Sequence, residues 1–168
     1  LRQHLVDLCN EVAQEMGFDY LTFIAQDIND YPAESIDVLI ALHACDTATD
    51  VAIAKGIQSS ADLIVCAPCC HKQIRKQIAK KNMLSPILKH GILEERQAEM
   101  ITDGIRALIL EQHSYQSKVF EFISNEHTGK NLMIVGTKSK QANPAATAQI
   151  ATIKQQFGIE YHYLEQLL

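Results

Sequence analysis

Leu5, Leu8, Cys9, Val12 and Met16 recur at three- and four-residue intervals, with Gly17 behind them, which predicts a helix over 1–16 closed by that glycine. "YLTFIA" (20–25) is rich in β-branched and aromatic residues and reads as a strand that ends in the acidic loop "QDINDYPAES". "DVLIALH" (37–43) and "DLIVCA" (62–67, stopped by Pro68) are continuous apolar runs of strand length. Between them Thr47 and Asp50 have capping-box spacing, ahead of a helix that carries Val51, Ile53, Ala54 and Ile57 and closes near Gly56. A helix with Ile74 and Ile78 on its apolar side follows the second run. A longer one over 94–113 turns Met100, Ile101, Ile105, Leu108 and Ile109 inward. "KVFEFIS" (118–124) and "NLMIVGT" (131–137) read as strands joined through Gly129, and Pro144 marks the start of a last helix to about Gln156.

Apolar strands alternating with amphipathic helices predict an α/β sheet covered on both faces. In such sheets ligands sit beyond the carboxyl ends of the strands. Three strand ends carry chemically active residues: "AQDIND" (25–30), "HACDTATD" (43–50) and "PCCHK" (68–72). If their strands run parallel, all three lie along one rim, and "HAC" is adjacent to "PCCH" at one end of a mainly parallel sheet.

Composition narrows the setting. A length of 168 residues suits one domain, and no apolar stretch approaches a membrane span, so no membrane association is expected. Five cysteines, three of them within 66–70, are not a secreted disulfide framework and point to a reducing cytoplasm. A net charge of −5 argues against nucleic-acid binding over the whole surface, yet His71, Lys72, Arg75, Lys76, Lys80 and Lys81 cluster in one short run. The chain begins at Leu1 inside a helical pattern and reads as a piece of something longer.

"LIALHACDTATD", followed by "IVCAPCCHK" and later "EHTGKNLMIVGTK", resembles the class I S-adenosylmethionine-dependent methyltransferases. More narrowly it resembles the group that includes the tRNA 2′-O-methyltransferase of the acceptor stem and the methyltransferase region of glutathione S-transferase C-terminal domain-containing protein. The resemblance covers roughly 1–137 and leaves 138–168 as a C-terminal extension, expected to be helical and packed on the same domain. It implies a Rossmann-like sheet of order 3-2-1-4-5-7-6 with strand 7 antiparallel, here incomplete: strands 3 to 7 are present and strands 1 and 2 absent. None of the seven glycines forms a G-x-G, so the loop that cradles the methionine moiety is missing from these residues.

The resemblance further implies S-adenosylmethionine as cofactor and RNA as substrate, methylated directly on oxygen or nitrogen. Asp27 matches the residue that accepts from the adenine amino group, with Ile28 near the ring; His43, Ala44 and Cys45 match the segment beside the methionine end.

Within the rim three chemistries compete for Cys66–His71. A zinc site would need converging ligands, and Cys45 and His43 on the neighbouring strand are available; without them Cys66, like Cys9, reads as core, and no metal is assigned. Cys69 stands where some RNA cytosine-5 methyltransferases carry a nucleophile, with His71 and a helix N-terminus to lower its pKa. As a substrate wall, Cys69, Cys70, Lys72, Arg75 and Lys76 contact the acceptor. His43, Asp46 and His71 are then the catalytic candidates, His43 foremost as proton acceptor. Thr47 and Asp50 read as helix caps, and the lysines and Arg75 equally as a solvated helix face. The other class that the sequence permits is a non-catalytic α/β binding module holding zinc through Cys and His at the strand ends. The missing strands also expose the inner edge of "DVLIALH", an apolar edge expected either to take strand 20–25 as its partner or to pair with a second copy of the chain.

Overall fold

The computed structural model describes residues 2–32, 34–42, 44–78, 84–123 and 131–168. His43, Lys80, Lys81, Gly129 and Lys130 lie outside the described residues. Two compact units form, Leu1–Pro32 and Ala33–Leu168.

In the first unit, α1 (Gln3–Glu15) ends at Met16, and Gly17 takes a φ of 76°, a left-handed conformation that costs a glycine little. Leu5, Leu8, Val12 and Met16 are exposed, and so is Cys9, which was expected in the core. So short a segment cannot bury a full apolar stripe by itself. Residues 20–25, expected as a strand, form none. A strand needs a neighbour to pair its N–H and C=O groups; here the Asn10 side chain supplies that pairing for one residue only. Its Oδ1 accepts from Phe23 N at 2.8 Å, and its Nδ2 donates to Phe23 O at 3.0 Å. A 3-10 turn, Ile28–Asp30, lies near the end of the unit.

The second unit contains the sheet. Its strands are β1 (Val38–Leu42), β2 (Leu63–Ala67), β3 (Tyr115–Glu121) and β4 (Leu132–Lys138), in the order β1-β2-β4-β3. β1 and β2 are parallel, Val38 opposite Leu63 through Leu42 opposite Ala67, and α2 (Thr47–Gln58) connects them. β4 inserts antiparallel to both β2 and β3. Three of the four described strands thus run one way, as expected of a mainly parallel sheet, and β4 runs against them because the ten residues between it and β3 are too few for a crossover. This register puts the carboxyl ends of β1, β2 and β3 and the amino end of β4 on one rim.

The core gathers around Ile53, Ile64, Ile105, Ile109, Leu110 and Ile134, all at most 1% exposed. α2 packs on β1 and β2 so closely that a Cβ on Gly56 would lie 2.7 Å from Ile64 Cδ1. Gly56 thus sits inside the helix as a contact point; the helix runs on to Gln58, past the expected stop. The predicted capping box does not form either. Asp46 is the N-cap residue, Thr49 Oγ1 donates to Ala44 O, and the Asp50 carboxylate is buried against an arginine. α3 (Lys72–Gln77) buries Ile74, and Ile78 just beyond it is buried as expected. A short α4 (Ser85–Leu88) precedes α5 (Gly91–Gln112), whose inward arc includes Ile101, Ile105 and Ile109. Met100, expected there too, is 64% exposed, because it lies about 100° round the helix from Ile101.

α6 (Ala146–Phe157) packs on α5, and α7 (Tyr163–Leu167) on α2. Gln73 and Gln77 donate to Tyr161 O, which ties α3 to this C-terminal segment. His162 caps α7: its Nδ1 accepts from Leu164 N while Glu165 accepts from His162 N. No described helix is long and apolar enough to cross a membrane.

Candidate functional site

The parallel pairing of β1 and β2 delivers residues 44–46 and 68–71 to the same place. There the Sγ atoms of Cys45 and Cys69 lie 3.4 Å apart, and Cys70 Sγ lies 3.7 Å from each. The predicted adjacency of "HAC" and "PCCH" is present for all described residues of both segments. Cys66, three residues before Cys69 and still within β2, faces the core at 1% exposure and takes no part.

Asp46 is the pivot. Its φ of 52° and ψ of −118° are a rarely populated conformation for a residue with a side chain, and its surroundings hold it there. Arg106 Nη2 and Thr49 N both donate to Asp46 O, and Gln73 N donates to Asp46 Oδ1 at 3.1 Å. The carboxylate thus caps the first turn of α3 on the neighbouring strand end. Asp46 fastens the two rim segments to each other.

Behind it lies a buried ionic network that the sequence reading missed. Arg106 is 0% exposed; Nε bonds Asp50 Oδ1 at 2.8 Å and Nη1 bonds Asp103 Oδ1 at 2.9 Å. The second oxygen of Asp103 meets His71 Nε2 at 3.0 Å. Burial pulls the guanidinium pKa down, but Asp50 and Asp103 outweigh it and raise it above the ordinary value, so Arg106 stays charged. Removing either kind of charge would leave its partner unpaired in the interior, an error worth roughly 3–5 kcal/mol. A signal existed: Asp103 and Arg106, three residues apart, interrupt the apolar pattern of α5 beside Ile105.

His71 is buried and committed to Asp103, a geometry that suits positioning better than proton transfer to a ligand in the open. Burial and hydrogen bonding with Cys45 and Cys70 push the Cys69 thiol up to about 12, opposite to what a thiolate nucleophile needs. Arg75 is engaged by Glu94 at 3.4 Å and Glu95 at 3.7 Å, whereas Lys72 and Lys76 are exposed. His43 lies outside the described residues. Asp27 and Ile28 belong to the first unit. There Asp27 Oδ1 accepts from Asn29 N and Nδ2, both at 2.8 Å, which hold the exposed carboxyl below its usual range.

Among the described residues two hollows lie on the rim. A small one of about 110 Å³ is lined by Cys70, His71, Lys72, Arg75 and Glu95. A larger cleft of about 520 Å³ lies between α5 and the rim ends of β3 and β4, with Asp103, Asn131 and Leu132 in its wall. Asp103 thus faces the cleft while holding His71. Among the described residues the cleft is also lined by Arg96, Glu99 and Glu121.

Comparison with known proteins adds a family signal. Residues 1–77 match the model of a methyltransferase domain. The chain is 27% identical over 148 residues to glutathione S-transferase C-terminal domain-containing protein of Mus musculus, covering 74% of this chain and 23% of that protein. The Bos taurus protein of the same name is 26% identical over the same length and shares. The chain thus spans about a quarter of the length of these curated relatives. No solved structure matches it significantly.

Proposed function

We propose that this chain is part of an S-adenosylmethionine-dependent methyltransferase that transfers methyl directly to an oxygen or nitrogen of an RNA acceptor. The observation that carries this reading is the methyltransferase-domain match, which runs through α1, β1, α2 and β2 and ends in α3, just past the thiol-lined junction of the two parallel strand ends. The strand order β1-β2-β4-β3, with β4 antiparallel, is the order that the resemblance implies for strands 4, 5, 7 and 6.

When bound, the cofactor supplies an electrophilic sulfonium methyl group, and the protein's task is to orient the acceptor and accept its proton. Asp27, ionised and exposed, takes the adenine amino group, with Ile28 against the ring. His43, Ala44 and Cys45 border the methionine end, and His43 accepts the acceptor's proton. Asp46 and His71 hold the rim in register, and Cys69 and Cys70 form part of the acceptor wall. Lys72 and Lys76 contact RNA phosphates, with Arg75 contributing less because two glutamates occupy it. The cysteine-rich rim suits a reducing compartment such as the cytoplasm.

The test is made on the full-length protein. Asp27→Ala is expected to weaken S-adenosylmethionine binding in isothermal titration, while His43→Ala keeps binding and slows single-turnover methyl transfer by 10²–10⁴-fold, the usual worth of a general base. Unchanged cofactor affinity in the Asp27 variant removes the adenine assignment, and absence of any cofactor binding removes the reading.

A further inference from the structure

We propose that Cys45, Cys69 and Cys70 form a three-thiolate site for a soft divalent cation of the zinc class. The three sulfurs form a nearly equilateral triangle of 3.4, 3.7 and 3.7 Å. Three thiolates around a tetrahedral zinc at the usual Zn–S length of about 2.3 Å stand about 3.8 Å from one another. The triangle therefore has the size of a face of that tetrahedron, and it closes on the ion with shifts of a few tenths of an ångström. A disulfide is a poorer fit. It would draw two sulfurs to about 2.05 Å and leave the third, held equally close to both, without a role.

The surroundings also distinguish these thiols from packing cysteines. Cys66 shows what a packing cysteine looks like in this protein: it is buried in the strand among aliphatic side chains. Cys45 is exposed and Cys69 and Cys70 half-buried, so an ion can reach them from solvent. The segments that present them are fixed independently of any ligand. Thr49 holds Ala44 O, Arg106 holds Asp46 O, Asp46 holds Gln73 N, and Asp103 holds His71. Such support is what orients metal ligands before the metal arrives. Among the described residues the ligand atoms of Cys45, Cys69 and Cys70 converge on one point, and three protein ligands are enough to hold a zinc ion. On binding, each thiol exchanges its S–H bond for an S–metal bond and releases its proton to solvent.

The methyltransferase reading places the same three residues beside cofactor and acceptor, but the metal assignment rests on the sulfur geometry, and its test is metal content and spectroscopy and not methyl transfer. The full-length protein, reduced and handled without oxygen, is loaded with Zn²⁺ and in parallel with Co²⁺. One equivalent of zinc is expected to survive desalting, and the cobalt form is expected to show intense tetrahedral ligand-field bands with thiolate-to-metal charge transfer. Cys45→Ser and Cys69→Ser, checked for folding by circular dichroism, are expected to weaken zinc at least about tenfold, since loss of a mere supporting group already costs roughly 10- to 100-fold. Cys9→Ser, an exposed thiol elsewhere, is expected to leave it unchanged. Substoichiometric zinc, a cobalt spectrum without sulfur charge transfer, or equal losses in the Cys9 and Cys69 variants would overturn the assignment. If the serine variants unfold, the cobalt spectrum of the unaltered protein decides by itself.

Discussion

At the scale of single residues, polar side chains in the interior organise this protein. Arg106 and His162 are both at 0% exposure, yet their charge states differ. Arg106 keeps its charge because two carboxylates meet it, whereas burial, reinforced by the nearby Arg106 charge, drives His162 down to about 3. The imidazole is therefore neutral in the folded chain, which suits Nδ1 as the acceptor for Leu164 N. A folded-state pKa of about 3 against an ordinary 6.5 means that the unfolded chain binds one more proton between those values. Stability from this residue is thus full above about pH 6.5 and is lost as the pH falls, at up to about 1.4 kcal/mol per pH unit. In urea titrations His162→Asn, which keeps a cap acceptor, is expected to show a shallower loss of stability between about pH 6 and pH 4 than the unaltered chain. Parallel pH profiles for the two proteins would contradict the assignment of a neutral buried imidazole.

At the scale of elements, the contact between α2 and β2 decides how the rim is presented. Helix propensity alone favours alanine over glycine by about 1 kcal/mol at a mid-helix position such as Gly56. Tertiary packing reverses the sign, since the added methyl would fall 2.7–2.8 Å from Ile64 Cδ1 and Cγ1, and Ile64 is 1% exposed with no room to turn away. Gly56→Ala is expected to lower stability by about 1–3 kcal/mol in chemical denaturation, the usual cost of overpacking. A neutral or stabilising outcome would show that β2 can shift away from the helix. The sequence pattern placed a helix end near Gly56 because glycine commonly stops helices, but the requirement here is closeness of two backbones. The same distinction explains 20–25: its residue types favour a strand, and with no ladder partner among the described residues Phe23 is held by the Asn10 side chain.

At the scale of the whole molecule, the sheet ends in an apolar edge. β1 pairs only with β2 among the described residues, and Val38, Ile40 and Leu42 are 49–61% exposed along one of its faces. An edge with unpaired backbone groups and an apolar face recruits another strand. We propose that, in the isolated 168-residue chain, a second copy covers it. Light scattering is expected to show a concentration-dependent dimer or larger species, and Ile40→Lys to shift it toward monomer. A monomer at all concentrations would refute the edge as a self-association surface.

The sequence by itself determined the four strands of the sheet and the main helices between them, though not the fate of 20–25, because apolar runs of strand length and helical periodicity are local properties of the chain. It also determined that "HAC" and "PCCH" would meet, since two buried strands joined by one helix leave few other arrangements. Only the tertiary structure decided that three of the cysteines form a triangle while Cys66 turns into the core, because strand alternation and loop path together choose which sulfur faces which side. It likewise decided that Asp46 adopts a strained backbone to cap a helix on the next strand, and that Asp50 pairs with Arg106 where capping by its neighbour was expected. Those partners lie 27 and 56 residues away along the chain. No local pattern encodes a contact at such range; only the packing of α5 against the rim brings the charges together, in an interior where none of them can remain unpaired.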